Sequence, residues 1–440
     1  MASTEERDSG TSRLTPGRAL RAAAFIVWCV VAVELLLWVA TLVSPRIDLL
    51  LTNRLAVPRT LPDEEVGKVR NPEFFENDSR GFRNEEAWDS AEIVTLGDSQ
   101  TVGVNARRED AWPKQLQRML ATPVYNMAVG GTGPGRYRYL VGDALELEPE
   151  WVLTGFYVGN DLWNSLHEYY ILDVPGMEWR PKDPAHVREI EARARIVNAE
   201  FADAARYLTY QPPSRARKGG ARAMPARGSS MSPVRWLQDH SRIWGAARAI
   251  RSGIRGRRSG TGERFDRRHW DQLVEAARTD AGLVVYESAK VKTILHPGHR
   301  ILGEDIVRDS IIQEGLDLSL ETLRGIDAEV KAGGARHMVV LIPSKEFVYA
   351  EALEPAPAPG SVMAALSRGE AEIWSRTRTF LSANGIDFVD ALPEMRRGVA
   401  EDVPLYPYST QSHPDTRGYE RIARAVARAL EERGFAAKRP

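Results

Sequence analysis

A serine, an asparagine and a histidine occur at points of the chain that could carry chemistry. Ser99 follows the apolar run 93–96, Asn160 follows the apolar run 151–158, and His413 lies in a polar loop before a final amphipathic stretch. A serine hydroxyl is a poor nucleophile near neutral pH and needs a base such as histidine. A side-chain amide can stabilise the oxyanion that forms when a hydroxyl attacks an ester. These residue types predict acyl-transfer chemistry.

The segment around Ser99 indicates how that hydroxyl is presented. Residues 92–103 read E-I-V-T-L-G-D-S-Q-T-V-G, a pattern typical of a buried strand, a tight turn and a helix. Ser99 then lies at the carboxyl end of a strand, the edge where open α/β sheets bind ligands. The G-x-S-x-G elbow is absent. The alternative is that Ser99 only caps the following helix.

Four ordered blocks carry a family resemblance. After Gly97-Asp98-Ser99 come residues 126–133 (N-M-A-V-G-G-T-G), Gly159-Asn160-Asp161, and the block Ser412-His413-Pro414-Asp415 with Gly418-Tyr419. With these blocks the chain resembles the SGNH (GDSL-type) hydrolase family, and in particular its membrane-anchored bacterial envelope members. Four blocks in the family's order, each at a predicted strand end, make a coincidence improbable.

The resemblance implies a role for each block. Ser99 is expected to be the nucleophile and His413 its base. The expected oxyanion hole consists of the Ser99 backbone N–H, the Asn160 amide and a glycine N–H. The family's spacing favours Gly131 for that glycine, with Gly130 as the alternative. Asn160 could instead be an ordinary turn residue that bonds its own backbone.

The third triad member departs from the family pattern. An Asp usually stands two or three residues before the base, but here those places hold Gln411 and Thr410. Either a backbone carbonyl orients His413 in a dyad, or an acid from elsewhere completes the triad. The nearest acids on its N-terminal side are Asp390 and Asp402. In the family, the Asp beside the nucleophile, here Asp98, is structural and is not the triad acid.

The elements that must position these residues alternate between strands and helices. Apolar, β-branched runs predict strands at 93–96, 124–127, 151–158, 338–342 and 386–389, and helical periodicity predicts helices at 111–120, 137–147, 306–332, 364–383 and 416–433. Such alternation implies parallel pairing with right-handed crossovers. The predicted fold is a three-layer αβα sandwich with a parallel sheet of about five strands, of SGNH or flavodoxin-like type, within residues 91–434.

The N-terminal region predicts a membrane anchor. Residues 22–43 are apolar apart from Glu34 and Thr41, and this length spans the hydrocarbon core of a bilayer. Three arginines before the run place residues 1–21 in the cytoplasm and the domain outside the inner membrane. Glu34 in mid-span is costly unless it is protonated or paired. A cleaved signal peptide is the alternative, although no clear A-x-A site follows.

Two further regions lie outside the predicted sandwich. Residues 44–90, rich in proline and charge, predict a stalk whose end, 77–84, resembles a leader found before the Gly-Asp-Ser block in envelope members. Residues 162–300 predict a long insertion. Between Arg215 and Arg258, twelve Lys or Arg stand against one acid, which is typical of a solvated, partly disordered loop or of a surface for anionic lipid or acidic polysaccharide.

Net charge, cysteine content and histidine spacing exclude several classes of function. The net charge of −1 gives no general attraction to nucleic acid, and the single Cys29 rules out an intrachain disulfide. His296 and His299 flank a Pro-Gly turn without a nearby third ligand, so neither a metal nor a cofactor is predicted.

The leading hypothesis is an esterase that removes acyl groups, acetyl among them, from an envelope or secreted glycan. The alternatives are an O-acetyltransferase with the same acyl-enzyme, and a scaffold for polysaccharide assembly that lacks turnover.

Overall fold

The computed structural model describes residues 16–43, 58–177, 179, 181–195, 241–244, 246, 267–297 and 308–435. Its strands are β1 (Thr60–Asp63), β2 (Gly67–Arg70), β3 (Ile93–Leu96), β4 (Val124–Asn126), β5 (Trp151–Tyr157), β6 (Val284–Glu287), β7 (Lys292–Leu295), β8 (Arg336–Ile342) and β9 (Asp387–Asp390). Contacts divide the chain into one unit of residues 58–219 and 258–440 and another of residues 1–57 and 220–257.

The larger unit is built on a five-stranded sheet in the order β4-β3-β5-β8-β9, in which every pairing is parallel. Every residue of β3, β4 and β5 is buried, which explains why these runs are continuously apolar rather than alternating. The strand order reverses at β3, so the carboxyl ends of β3, β4 and β5 surround the crevice where ligands bind in such sheets. The predicted α/β fold is confirmed.

The described residues contain the following helices. They are α1 (Pro16–Val43), α2 (Ser99–Val102), α3 (Trp112–Leu120), α4 (Pro134–Tyr139), α5 (Val141–Leu145), α6 (Asp161–Tyr170), α7 (Arg267–Thr279), α8 (Ser310–Ala332), α9 (Lys345–Tyr349), α10 (Val362–Ala383), α11 (Leu392–Ala400) and α12 (Thr416–Glu432). Short 3-10 turns cover Arg108–Asp110 and Ala350–Ala352. α3, α11 and α12 pack together, as do α4, α6, α8 and α10. On α12, Ile422, Val426 and Leu430 form a buried stripe at helical spacing.

Two hairpins lie outside the sheet. β1 and β2 pair antiparallel within the region predicted as a stalk. β6 and β7 pair antiparallel within the predicted insertion, which also contains α7 and a helical segment at 184–195. Sequence patterns did not indicate the two hairpins, whereas helical periodicity predicts a helix at 185–205, of which residues 185–195 are described and helical. Most of the basic segment 215–258 lies outside the described residues.

The smaller unit contains α1, whose segment Leu20–Val43 is long and apolar enough to cross a membrane and is almost fully exposed. Glu34 on this helix accepts hydrogen bonds from the Ser241 hydroxyl at 3.0 Å and the Ile243 backbone N–H at 3.0 Å, and it also accepts from the Arg242 N–H. The mid-span carboxylate is therefore paired within its own unit.

Candidate active site

Ser99 begins α2 directly after the turn that ends β3. Asp98 caps this helix, because its carboxylate accepts the Gln100 backbone N–H at 2.8 Å. Gly97 has φ +151°, and a Cβ there would lie 2.3 Å from the Thr101 hydroxyl oxygen. Only glycine allows the chain to turn this tightly, so the Gly-Asp-Ser sequence follows from the geometry of the turn.

His413 meets Ser99 across more than three hundred residues of sequence. Its Nε2 lies 2.8 Å from the Ser99 Oγ, and its Nδ1 lies 2.7 Å from Oε1 of Gln411. The loop is anchored by Asp415, which caps α12 through the Arg417 and Gly418 N–H groups. A Cβ at Gly418 would lie 2.3 Å from the Leu405 carbonyl oxygen, so this close approach requires glycine. The structure thus joins hydroxyl and imidazole at hydrogen-bonding distance.

The two acids considered for the triad have other partners. Asp390 accepts the Trp374 indole N–H at 2.9 Å and the Leu392 backbone N–H at 2.9 Å. Asp402 accepts the Lys290 N–H at 3.1 Å. At Nδ1 of His413 the structure places the amide of Gln411, the residue that stands where the family carries an Asp.

The two glycines and the asparagine predicted for an oxyanion hole lie near Ser99 as follows. A Cβ at Gly130 would lie 3.6 Å from the Ser99 Cβ, whereas one at Gly131 would lie 2.6 Å from the Lys68 amine. Gly130 is thus the nearer of the two glycines to the nucleophile. Asn160 directs its side-chain N–H2 to Asp98, at 3.3 Å from Oδ2. A carboxylate only accepts hydrogen bonds, so this contact fixes the nitrogen of the Asn160 amide on the side of Ser99.

Asp98 contacts both Ser99 and Asn160. Its Oδ2 lies 3.2 Å from the Ser99 Oγ and accepts from the Asn160 side-chain N–H2 at 3.3 Å. Complete burial raises the pKa of Asp98 to about 6, although hydrogen bonds from Gln100, Asn160 and Ser99 oppose the shift. Asp98 therefore acts as a structural carboxyl that holds the turn and the amide together, as the resemblance implied.

Glu168 shapes the glycine loop, and the sequence patterns gave no sign of this role. It lies on α6 and accepts the Gly133 N–H at 2.6 Å and the Arg136 N–H at 3.2 Å. Burial raises the pKa of Glu168 to about 7 despite these backbone bonds. The Lys68 amine lies on the hairpin beside this loop, where burial lowers its pKa and the charges of Glu168 and Asp98 oppose that shift.

Two residues of the leader segment 77–84 hydrogen-bond to backbone groups at the ends of α2 and β4. The Arg83 guanidinium donates to the carbonyls of Val102 at 3.0 Å and Gly103 at 2.8 Å, which close α2. The Asn84 side chain exchanges hydrogen bonds with the Asn126 backbone at the end of β4. These contacts explain why an arginine and an asparagine stand at these two positions shortly before the first strand of the sheet.

A buried lysine supports the histidine loop, and it too was missed. Lys345 begins α9, its side chain is fully buried, and its amine donates to the carbonyls of Ile294 at 2.9 Å, Ser409 at 2.8 Å and Gln411 at 3.1 Å. Its position directly after strand β8, at the same sheet edge as Ser99, was the available signal.

One cavity borders the loop that carries His413, and another borders the glycine loop. One of about 470 Å³ is lined by Asn105, Tyr406, Tyr408, Arg417 and two lysines of the β6–β7 hairpin, Lys290 and Lys292. Asn105 also donates to the His413 carbonyl, at 3.5 Å. A smaller one of about 190 Å³ lies against Gly131 and is lined by Val66, Lys68, Glu168 and Leu172.

Within the described residues, no group of three or more His, Cys, Asp or Glu side chains is arranged to hold a metal ion. His296, one of the two histidines weighed as ligands, donates its backbone N–H to Glu346 at 2.9 Å. His299, the other, lies outside the described part of the chain.

A comparison with protein families matches the C-terminal part of the chain, which contains the His413 block. Residues 303–440 match the family model described as "SGNH hydrolase-like domain, acetyltransferase AlgX". No curated protein matches the chain. The matched segment includes β8, β9 and the His413 loop, and the resemblance to SGNH hydrolases is confirmed.

Solved structures with a related backbone include esterases. The acetylxylan esterase Axe2 from Geobacillus stearothermophilus shares 12% identity, with 79% of this chain and 96% of that chain covered and a TM-score of 0.34. A GDSL-like lipase from Bacteroides thetaiotaomicron shares 9% identity, with 87% and 95% covered and a TM-score of 0.32. Similarity this low assigns no residue role to this chain.

Proposed function

We propose that this chain, an SGNH hydrolase-like protein, is a serine esterase that removes acyl groups from an acylated glycan through a Ser99 acyl-enzyme. The observation that carries the proposal is the contact between the His413 Nε2 and the Ser99 Oγ, at 2.8 Å. An imidazole at this distance can take the hydroxyl proton as the oxygen attacks.

The proposed acylation step uses groups already in place. The Ser99 Oγ bonds to the ester carbonyl carbon while its proton passes to Nε2 of His413. The resulting oxyanion faces the Ser99 N–H, the Asn160 amide and a glycine N–H from Gly130 or Gly131. When the carbonyl re-forms, the ester C–O bond breaks and His413 gives its proton to the leaving sugar oxygen.

Deacylation repeats the sequence with a second nucleophile. His413 takes a proton from that nucleophile as its oxygen attacks the acyl carbon, and the proton then returns to the Ser99 Oγ when the bond to the acyl carbon breaks. Water as the nucleophile gives hydrolysis, and a sugar hydroxyl gives transfer.

We assign the sugar and the acyl group of the substrate to the two cavities. The leaving oxygen must lie beside His413 to receive its proton, so we assign the sugar to the cavity of about 470 Å³. Its tyrosines and cationic side chains suit a polar or acidic saccharide. The acyl group then occupies the cavity of about 190 Å³ beside Gly131, whose size favours a short group such as acetyl.

An O-acetyltransferase is the second candidate, because the family model matched by residues 303–440 names an acetyltransferase. The same acyl-enzyme serves both reactions. Measuring acetate release against acetyl transfer from a chromogenic acetyl ester, with and without an oligosaccharide acceptor, separates them. Dominant transfer in the presence of the acceptor would replace the esterase proposal with the transferase one.

The helix α1 supports a proposed location. We assign residues 22–43 as an uncleaved inner-membrane anchor that places the catalytic unit outside the cytoplasm, with residues 1–21 inside and 44–90 leading to the 91–434 domain. The length and apolar character of Leu20–Val43 support this assignment.

Labelling with a fluorophosphonate probe tests whether Ser99 is an activated nucleophile. We expect the full chain to be labelled on Ser99, and we expect Ser99→Ala and His413→Ala to abolish labelling. A folded wild-type chain that resists the probe would favour the third hypothesis, a scaffold without turnover.

A further inference from the structure

An amide occupies the side of His413 opposite Ser99, where serine hydrolases usually place a carboxylate. Oε1 of Gln411 lies 2.7 Å from Nδ1 of His413. The same oxygen faces the Ser412 backbone N–H at 3.1 Å and the His413 backbone N–H at 3.4 Å. Gln411 therefore closes a tight loop in which one oxygen meets three N–H groups.

The two backbone contacts decide which end of the amide faces the imidazole. A backbone N–H can only donate, so the Gln411 atom that meets the N–H groups of Ser412 and His413 must be the oxygen. That oxygen then accepts from Nδ1 of His413 as well, and Nδ1 must carry the ring proton. Nε2 is left with its lone pair directed at the Ser99 hydroxyl, which is the form that a general base requires.

We propose that Gln411 is the positioning residue of His413, and that it fixes the reactive tautomer as a neutral member of a Ser99–His413–Gln411 arrangement. The proposal rests on the esterase function above. It removes the need for a distant acid, since the orienting bond comes from within the histidine loop.

The wrong tautomer is the known hazard of an amide at this place. In serine proteases, replacing the triad acid by its amide lowers kcat by about 10⁴ because the imidazole takes the wrong tautomer. Here the backbone donors of Ser412 and His413 hold the oxygen of Gln411 toward the ring, so the hazard is avoided. A neutral oxygen stabilises the imidazolium less than a carboxylate would, and this difference is open to measurement.

The backbone of the loop that carries Gln411 is held by hydrogen bonds from a buried lysine. The buried Lys345 amine donates to the backbone carbonyls of Gln411 at 3.1 Å and of Ser409 at 2.8 Å. The Ser409 hydroxyl in turn accepts the Gln411 N–H, at 3.4 Å. The backbone on both sides of Gln411 is therefore fixed, and its side chain needs no rearrangement to reach the imidazole.

Two substitutions at this position separate orientation from charge. Gln411→Met keeps the length but removes the acceptor, and we expect kcat for a p-nitrophenyl acetate substrate to fall about 10- to 100-fold with KM little changed. Gln411→Glu keeps the oxygen and adds a charge that favours the imidazolium, so the acidic limb of the pH–kcat/KM profile should move up by about one pH unit. A merely structural role would leave that limb in place.

Controls keep this inference apart from the proposed function. Thr410→Val, in the same loop, should leave both kcat and the profile unchanged, because the buried Thr410 hydroxyl has no hydrogen-bond partner among the described residues. If wild-type activity is absent or survives in His413→Ala, the esterase proposal fails. If His413→Ala is inactive but Gln411→Met keeps full kcat, or Gln411→Glu keeps the wild-type limb, only the role of Gln411 is overturned. Thermal unfolding of each variant shows that it is folded.

Discussion

Asn160 is proposed to stabilise the oxyanion, a role separate from those of the nucleophile and the base. Its amide nitrogen is held toward Asp98, on the side of the Ser99 hydroxyl. Asn160→Ala removes one oxyanion donor, so we expect kcat for p-nitrophenyl acetate to fall about 10²- to 10³-fold with KM nearly constant. Steady-state kinetics measure this. Asn384→Ala, at the exposed end of α10, is the matched control, and an equal loss there would contradict the assignment.

A second prediction at this scale concerns the protonation of Glu168. Burial raises its pKa from 4.5 to about 7, so the folded chain binds this proton more tightly than the unfolded chain does. Its contribution to the free energy of unfolding is fully present below about pH 4.5 and is lost as pH rises through 7.

Glu168→Gln removes that pH dependence and one backbone acceptor. The variant should be less stable than wild type at pH 5, and the gap should narrow by pH 7.5, because ionisation weakens only the wild type. Urea unfolding at the two pH values measures the gap. A gap that is constant with pH would refute the raised pKa.

The cavity beside Gly131 leads to a third prediction. Leu172→Ala enlarges the wall of the proposed acyl site, so the ratio of kcat/KM for p-nitrophenyl butyrate over acetate should rise several-fold, about 1 kcal/mol of discrimination. Leu145→Ala, at a leucine packed against Gly333, serves as the control. An unchanged ratio would place the acyl group elsewhere.

Several residue positions were predictable, and others were not. Ser99 and Asn160 follow from strand-end motifs and His413 from the block before the last helix, and the structure brings all three to one edge of the sheet. The role of Gln411 was not predictable, because an amide in the place of an acid does not reveal which of its ends faces the imidazole. The choice between Gly130 and Gly131 depends on loop geometry that spacing does not encode.

At the scale of elements, buried strands and their following helices were predictable because a parallel sheet demands continuous apolar runs. The helix 137–147 was wrong in detail, since α4 and α5 divide it and α4 begins at Pro134. The β6–β7 hairpin was missed because β6 is only partly buried and because its region was predicted as an insertion. Helix α6 was not predicted, because most of it lies in the region 162–300 that was predicted as an insertion, although it packs on α8.

Lys345 links two elements, and its removal tests that link. Lys345→Met leaves the carbonyls of Ile294, Ser409 and Gln411 without this donor, so we expect a loss of about 2–4 kcal/mol in the free energy of unfolding. Activity should fall further than stability explains, because the histidine loop is released. Lys331→Met, at a more exposed lysine on α8, should cost under about 1 kcal/mol. Equal losses in both variants would contradict the supporting role.

At the scale of the whole molecule, the apolar helix leads to a prediction about the cellular location of the protein. If residues 22–43 form an uncleaved anchor, the full chain should stay in the membrane pellet after alkaline carbonate extraction and should keep an N-terminal tag. Loss of the tag would identify a cleaved signal instead. Length and composition predicted this helix, but they cannot distinguish an anchor from a signal sequence, since both satisfy the same apolar pattern.

The acyl-enzyme is the central claim, and trapping it is the most direct test. The full chain is mixed with p-nitrophenyl acetate, quenched in acid within one turnover and digested for mass spectrometry. We predict one acetyl group on the peptide that contains Ser99, and none on that peptide in His413→Ala. Turnover of the ester without acetyl on Ser99, or acetylation that persists unchanged in His413→Ala, would contradict the account.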